Sequence, residues 1–334
     1  MKRSCLTAGA TALVILLGQS SQVFGSAYYY TRSYYKYDTP DYVSRESSGT
    51  DVAYVDYDSG VSGDWLIGPS LERGEGYAAS SGRADAANLN LGAHTWAISM
   101  QDTYRAEGSM LTKASNRFTV SPGTSGLSDG DAVTLELAIG LDGSFFVAGT
   151  PHPGTSGSSS ADMSAGLAIR DANSNQIAGF GASGKMWGIT SWMISTGDFL
   201  FSSGWEENWQ TSNSSGTILS HTDSDKLSQS GGGEKVDSHY FNTGWLTLEF
   251  ETLIGQTLVI DASLNTHVAT SEEARGGADF YNTLAFGVTS QAPGVELDWE
   301  IDPHPVPLPG ALPLLGSGLL GLLGLRRKRA GKQG

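Results

Sequence analysis

Apolar and polar residues alternate in short runs along much of the chain, at 51–58, 94–100, 117–120, 132–139, 166–170, 245–252, 257–263, 284–289 and 295–301. A period of two sends successive side chains to opposite faces of a strand, so each run predicts a strand with one dry and one wet face. Turn clusters punctuate the runs, among them Ser121-Pro122-Gly123, Leu141-Asp142-Gly143-Ser144 and Ser230-Gly231-Gly232-Gly233. One helical turn is expected, at 271–275. The polar stretches 149–161 and 208–233 read as exposed loops or hairpin excursions, because strand patterns resume after each. Many short strands with Gly-rich turns predict an all-β body: a single β-sandwich, jelly-roll-like, over residues 51–305.

The pattern changes at both ends. Residues 1–27 carry Lys2 and Arg3, an apolar run over 6–18 and the small residues Gly25-Ser26-Ala27, the layout of a secretory signal peptide cut after Gly25 or Ala27. At the other end Val306, Pro307, Leu308 and Pro309 precede an uncharged apolar stretch over 310–325, which the basic cluster Arg326, Arg327, Lys328 and Arg329 closes. That stretch has 16 residues, just short of the roughly 17–25 that cross a bilayer, and the flanking residues extend it. Basic residues stay on the cytoplasmic side, so the body lies across the membrane from the short end 330–334, in agreement with the signal peptide. Pro307 and Pro309 hold the segment before the span extended, the form a protease cleft accepts.

On these residues the tail 306–329 resembles the PEP-CTERM sorting signal in its Val-Pro-Leu-Pro-Ala variant, with Gly310 in place of the usual Ala and Lys328 within the Arg run. The resemblance implies a transmembrane sorting helix read by an exosortase-like membrane protease or transpeptidase, after export by the Sec translocase and signal peptidase. It also implies transient inner-membrane anchoring, then a place at the cell surface or in an extracellular, exopolysaccharide-rich biofilm matrix. The sandwich body ahead of such a tail is likewise similar to those found in this family.

Charge sharpens the picture. The chain of 334 residues has a net charge of −15, yet its two ends hold seven of the 20 basic residues and no acidic one. Without them 13 basic residues face 35 acidic ones, a net −22 that repels nucleic acid and leaves cations or neutral polysaccharide as partners. The only cysteine, Cys5, lies in the signal, so the body has neither disulfide nor thiolate metal site. Residues 28–50 hold seven of the 13 tyrosines without a helical or strand period and read as a Tyr-rich arm ahead of the body.

For chemistry, Glu296, Asp298 and Glu300 fall on one face of a strand, with Trp299 on the other. They resemble the Glu-x-Asp-x-Glu motif of laminarinase-type retaining glycosidases, which would make Glu296 the nucleophile and Glu300 the acid/base. A retaining pair stands about 5–5.5 Å apart, whereas positions four residues apart on a flat strand lie roughly 13 Å apart. A solvated acidic last strand explains the same residues, so the body is read as non-catalytic and the glycosidase as the alternative. Trp205 and Trp209 flank Glu206, Glu207 and Asn208, a mixture of rings and carboxylates suited to glycan contact. The six histidines show no His-Glu-x-x-His spacing, so no metal ligand set and no cofactor is assigned. Asp56-Tyr57-Asp58-Ser59-Gly60 starts like a calcium loop without completing one, which leaves Ca2+ open and unlocated.

Overall fold

The computed structural model describes residues 26–36, 42–51, 54–63, 76–99, 105–149, 156–193, 196, 198–213, 218–230, 235–272 and 274–301. They form two antiparallel sheets and no helix. One sheet runs β11 (Ile218–Ser230), β10 (Asp198–Asn213), β9 (Gln176–Met193), β8 (Ser158–Arg170), β13 (Thr257–Ser271), β6 (Arg105–Ser121), β1 (Ser26–Lys36), β2 (Tyr42–Asp51), and β15 (Glu296–Trp299) also pairs with β6. The other runs β12 (Lys235–Leu253), β7 (Ala132–Gly149), β14 (Ala274–Ser290), β5 (Asn90–Ser99), β4 (Gly76–Asp85), β3 (Tyr54–Gly63).

The inner faces of the two sheets share one apolar core. Met110, Phe118, Leu258 and Leu264 enter it from the first sheet, and Leu135, Leu137, Ile139, Phe145 and Phe280 from the second. Burial alternates residue by residue along β6, β13 and β7 up to Val147, as a period of two requires. Where the sheets approach, small and polar residues fit the gap: Gly184 of β9 faces Phe145 and Phe241, and the buried Thr95 and Thr266 hydroxyls meet at 2.7 Å. The run expected at 117–120 is only the end of the 17-residue β6. The inward positions before it are Ala106, Gly108, Met110, Thr112, Ala114 and Asn116, mostly too small or polar to register as hydrophobic alternation.

Three local expectations change. The helical turn at 271–275 does not form: β13 ends at Ser271, Glu272 takes a φ of 48°, and β14 starts at Ala274. The run at 51–58 divides, since β2 ends at Asp51 in one sheet and β3 begins at Tyr54 in the other. Residues 28–36 and 42–50 belong to the sheet: β1 pairs with β6 from Ser26↔Ser115 to Lys36↔Arg105, and β2 pairs with β1. Tyr and Thr suit a strand, but consecutive tyrosines conceal the period, and the partner strand lies some 80 positions further along the chain. Within the stretch 208–233, residues 208–212 at the end of β10 pair antiparallel with the first part of β11.

β1 and β15 lie end to end along the same side of β6. Ser26 opposes Ser115, and Trp299 opposes Phe118. The buried Asn116 between them donates to the Ile301 carbonyl at 3.0 Å and accepts from the Ile301 amide at 3.3 Å. The first and last described residues, Ser26 and Ile301, therefore lie side by side along β6.

A charged row crosses the outer face of the first sheet. His267 on β13 contacts Glu107 of β6 at 3.0 Å and Asp162 of β8 at 3.6 Å; Arg105 pairs with Glu107 and Lys185 with Asp162. Partial burial lowers the His267 pKa, but the hydrogen bonds and charges of Asp162 and Glu107 outweigh it and carry the value up to about 9. A folded value above the ordinary 6.5 means that this stabilisation is complete below about pH 6.5 and is lost as the pH rises through about 9. With a third of the side chain in solvent, we expect the wild type to lose about 1–2 kcal/mol over that window relative to His267→Gln, measured by urea unfolding at successive pH values.

Candidate functional site

The outer face of the second sheet carries the most exposed aromatic surface among the described residues. Trp245 is 71% and Tyr240 59% exposed on the edge strand β12. Both face outward because β12 bulges between Asn242 and Trp245. Without the bulge, five residues of separation would send them to opposite faces. Two rings lie on glycines of neighbouring strands. Trp245 covers Gly140 of β7, its Cε3 3.3 Å from where a Cβ would stand. Phe146 covers Gly277 of β14, across which Trp96 of β5 is the opposite neighbour. A ring laid on a glycine shields that strand and turns its other face to water.

Polar groups stand among these rings. The Tyr240 hydroxyl donates to Asp142 at 2.9 Å, which raises the phenol's pKa and keeps its proton in place. Ser144 and Asp279 continue the row from Tyr240 across β7 and β14 to His94 of β5. The face thus combines flat apolar surfaces with carboxylates and hydroxyls at the spacing of adjacent strands, about 4.8 Å.

The sequence-predicted residues fall elsewhere. Trp205 and Trp209 point inward from β10 at the open side of the sandwich, each half-buried against an imidazole: Trp205 stacks on His239 at 3.8 Å and Trp209 on His221 at 5.4 Å. Glu207 between them contacts His239 at 3.0 Å and His221 at 3.3 Å. Glu296 and Asp298 point outward from β15 and Glu300 follows on the same exposed side, while Trp299 packs inward on Phe118 at 4.6 Å. Glu300 pairs with Arg117 at 3.7 Å. Asp56 to Gly60 lie within the extended β3. Val306, Pro307, Leu308, Pro309 and the cluster Arg326, Arg327, Lys328, Arg329 lie outside the described residues, as do residues 1–25. No helix among the described residues is long and apolar enough to cross a membrane.

Sequence reasoning missed the outward aromatic face because Tyr240, Trp245, Phe146 and Trp96 come from three separate segments, and only strand register makes them neighbours. The one local signal was Asn242-Thr243-Gly244, where Gly244 has a φ of 62° at the bulge. No family model, curated protein or solved structure matches the chain.

Proposed function

We propose that this chain is an exported, non-catalytic protein of the cell surface or extracellular matrix that binds neutral polysaccharide through the outer face of its second sheet. The carrying observation is the pair of exposed rings, Trp245 and Tyr240, with Asp142 beside them. Sugar rings present apolar C–H faces that stack on aromatic surfaces, and their hydroxyls pair with carboxylates. The strongly negative body selects against polyanions, which leaves neutral glycan as the occupant.

The export and sorting reading draws support from the chain ends. The proposed signal peptide at 1–27 and the proposed sorting tail at 306–329 stand at the two ends of the body, where Ser26 and Ile301 sit side by side on β6. A body held to one membrane at both ends before processing needs both attachments on one side, and the neighbouring positions of Ser26 and Ile301 support that reading. Cleavage after Gly25 leaves Ser26 and the fully buried Ala27 in β1, so that site is favoured over cleavage after Ala27. The jelly-roll form is supported by the strand orders β5-β14-β7-β12 and β6-β13-β8-β9, the interleaving that two Greek keys produce.

The test uses protein recovered from outside the producing cells. Its mass is expected to run from Ser26 to between 306 and 310, and it should be retained on an insoluble neutral glucan or on arrayed neutral glycans. Trp245→Ala and Tyr240→Ala should each weaken binding roughly tenfold, and Ile189→Ala on the opposite sheet should not. A mass retaining the cluster Arg326 to Arg329 would overturn the sorting reading, and binding indifferent to Trp245 would overturn the proposed face. The glycosidase alternative rests on the shared outward side of Glu296, Asp298 and Glu300; sugar release abolished by Glu296→Gln would favour it.

A further inference from the structure

Beside the inward tryptophans lies a group of side chains that the proposed glycan face does not use. Glu207 of β10 and Asp223 of β11 are direct cross-strand partners, so two carboxylates share one face of the hairpin. Like charges placed directly opposite destabilise a strand pair, and here the Glu207 side chain is only 12% exposed. His221, two residues before Asp223, joins them: among the described residues, Glu207, His221 and Asp223 form the one group whose donor atoms all lie within 4.8 Å of one another.

We propose that Glu207, His221 and Asp223 bind a first-row divalent transition cation of the zinc type, with His239 as the positioning residue. Three features of the geometry carry this. First, Glu207 Oε1 and His221 Nε2 stand 3.3 Å apart, longer than the roughly 2.7–2.9 Å of a strong charge-assisted hydrogen bond. Two ligands at about 2.0–2.1 Å from a tetrahedral zinc ion lie roughly 3.3–3.4 Å apart. Second, the other carboxylate oxygen, Oε2, contacts His239 Nε2 at 3.0 Å, the kind of outer contact that fixes a ligating carboxylate. Third, both imidazoles are held by rings: Trp205 stacks on His239 with an interplanar angle of 8°, and Trp209 lies on His221 at 24°.

The segment Trp205-Glu206-Glu207-Asn208-Trp209 thereby gains a role for its alternate residues: a ligand flanked by two buttresses, all on the inward side of β10. The exposed Asp223 leaves the site open to water, which would complete the coordination. One imidazole with two carboxylates selects a transition cation over Ca2+, which takes about six to eight oxygen ligands and no nitrogen here. The cation would tie the outermost strand β11 to β10 and remove the repulsion between Glu207 and Asp223.

The test is equilibrium dialysis of the chelator-stripped, full-length protein against Zn2+, with bound metal counted by mass spectrometry and thermal unfolding followed in parallel. One Zn2+ per chain and a raised melting temperature are expected. Asp223→Asn and His221→Ala should abolish both, and His239→Gln should weaken binding about 10–100-fold. Asp223→Asn is the decisive variant, because its exposed side chain is dispensable for folding and the metal-free variant should melt no lower than metal-free wild type. Wild type that takes up no Zn2+, or Asp223→Asn that takes it up as wild type does, would overturn the site. Ca2+ bound as tightly as Zn2+ through the same residues would overturn the class of cation.

Discussion

Deletion of residues 26–51 is expected to make the body aggregate rather than release a separable arm. β1 pairs along its whole length with residues 105–115 of β6, and β2 covers the far side of β1. Without that hairpin most of the free side of β6 becomes an open row of unpaired amides and carbonyls, and open edges of this length template association between chains. Ala27 also leaves the core, where it is fully buried. Size-exclusion chromatography of the deleted and intact proteins makes the comparison. A deleted protein that elutes as the intact one does, with an unchanged melting temperature, would show that residues 28–50 are an independent arm after all.

The largest expected effect of a single substitution is at Phe280. Its ring is fully buried, 5.0 Å from Phe145 and 5.9 Å from Phe241. It also lies over Gly143 of β7, where an added Cβ would collide with the ring. Phe280→Ala removes this contact and leaves a cavity, at a cost of about 3–5 kcal/mol, and for a body of this size the melting temperature should fall by roughly 10 °C. Gly143→Ala supplies the internal control. In the native background it collides with the ring and destabilises; with Phe280→Ala the obstacle is gone, so the two changes should cost less together than separately. Chemical denaturation of the four proteins measures the coupling, and strict additivity would mean that the ring does not seal Gly143.

Strand type was readable wherever inward positions are large and apolar. In β7, Val133, Leu135, Leu137 and Ile139 face inward, and in β13 Leu258, Ile260, Ala262 and Leu264 do. It was unreadable where those positions hold Ala, Gly, Thr or Asn, as in the first two-thirds of β6, because a small side chain gives no hydrophobic signal although it is as buried as a large one. Trp205 and Trp209 were legible as notable residues but not as buttresses, since their histidine partners come from β11 and β12.

By itself the sequence determined that the body is all-β: local alternation and turn chemistry act within a few residues and need no partner. It also carries the charge balance and the two apolar ends, which are properties of composition and order. Only the tertiary structure decided that the Tyr-rich segment is a strand pair, that Trp245 shares a face with Tyr240, and that His221 and His239 meet at Glu207. Each of these depends on register between strands distant in the chain, or on a single-residue bulge. Register is fixed by the fit of the whole buried face, so no local pattern records it.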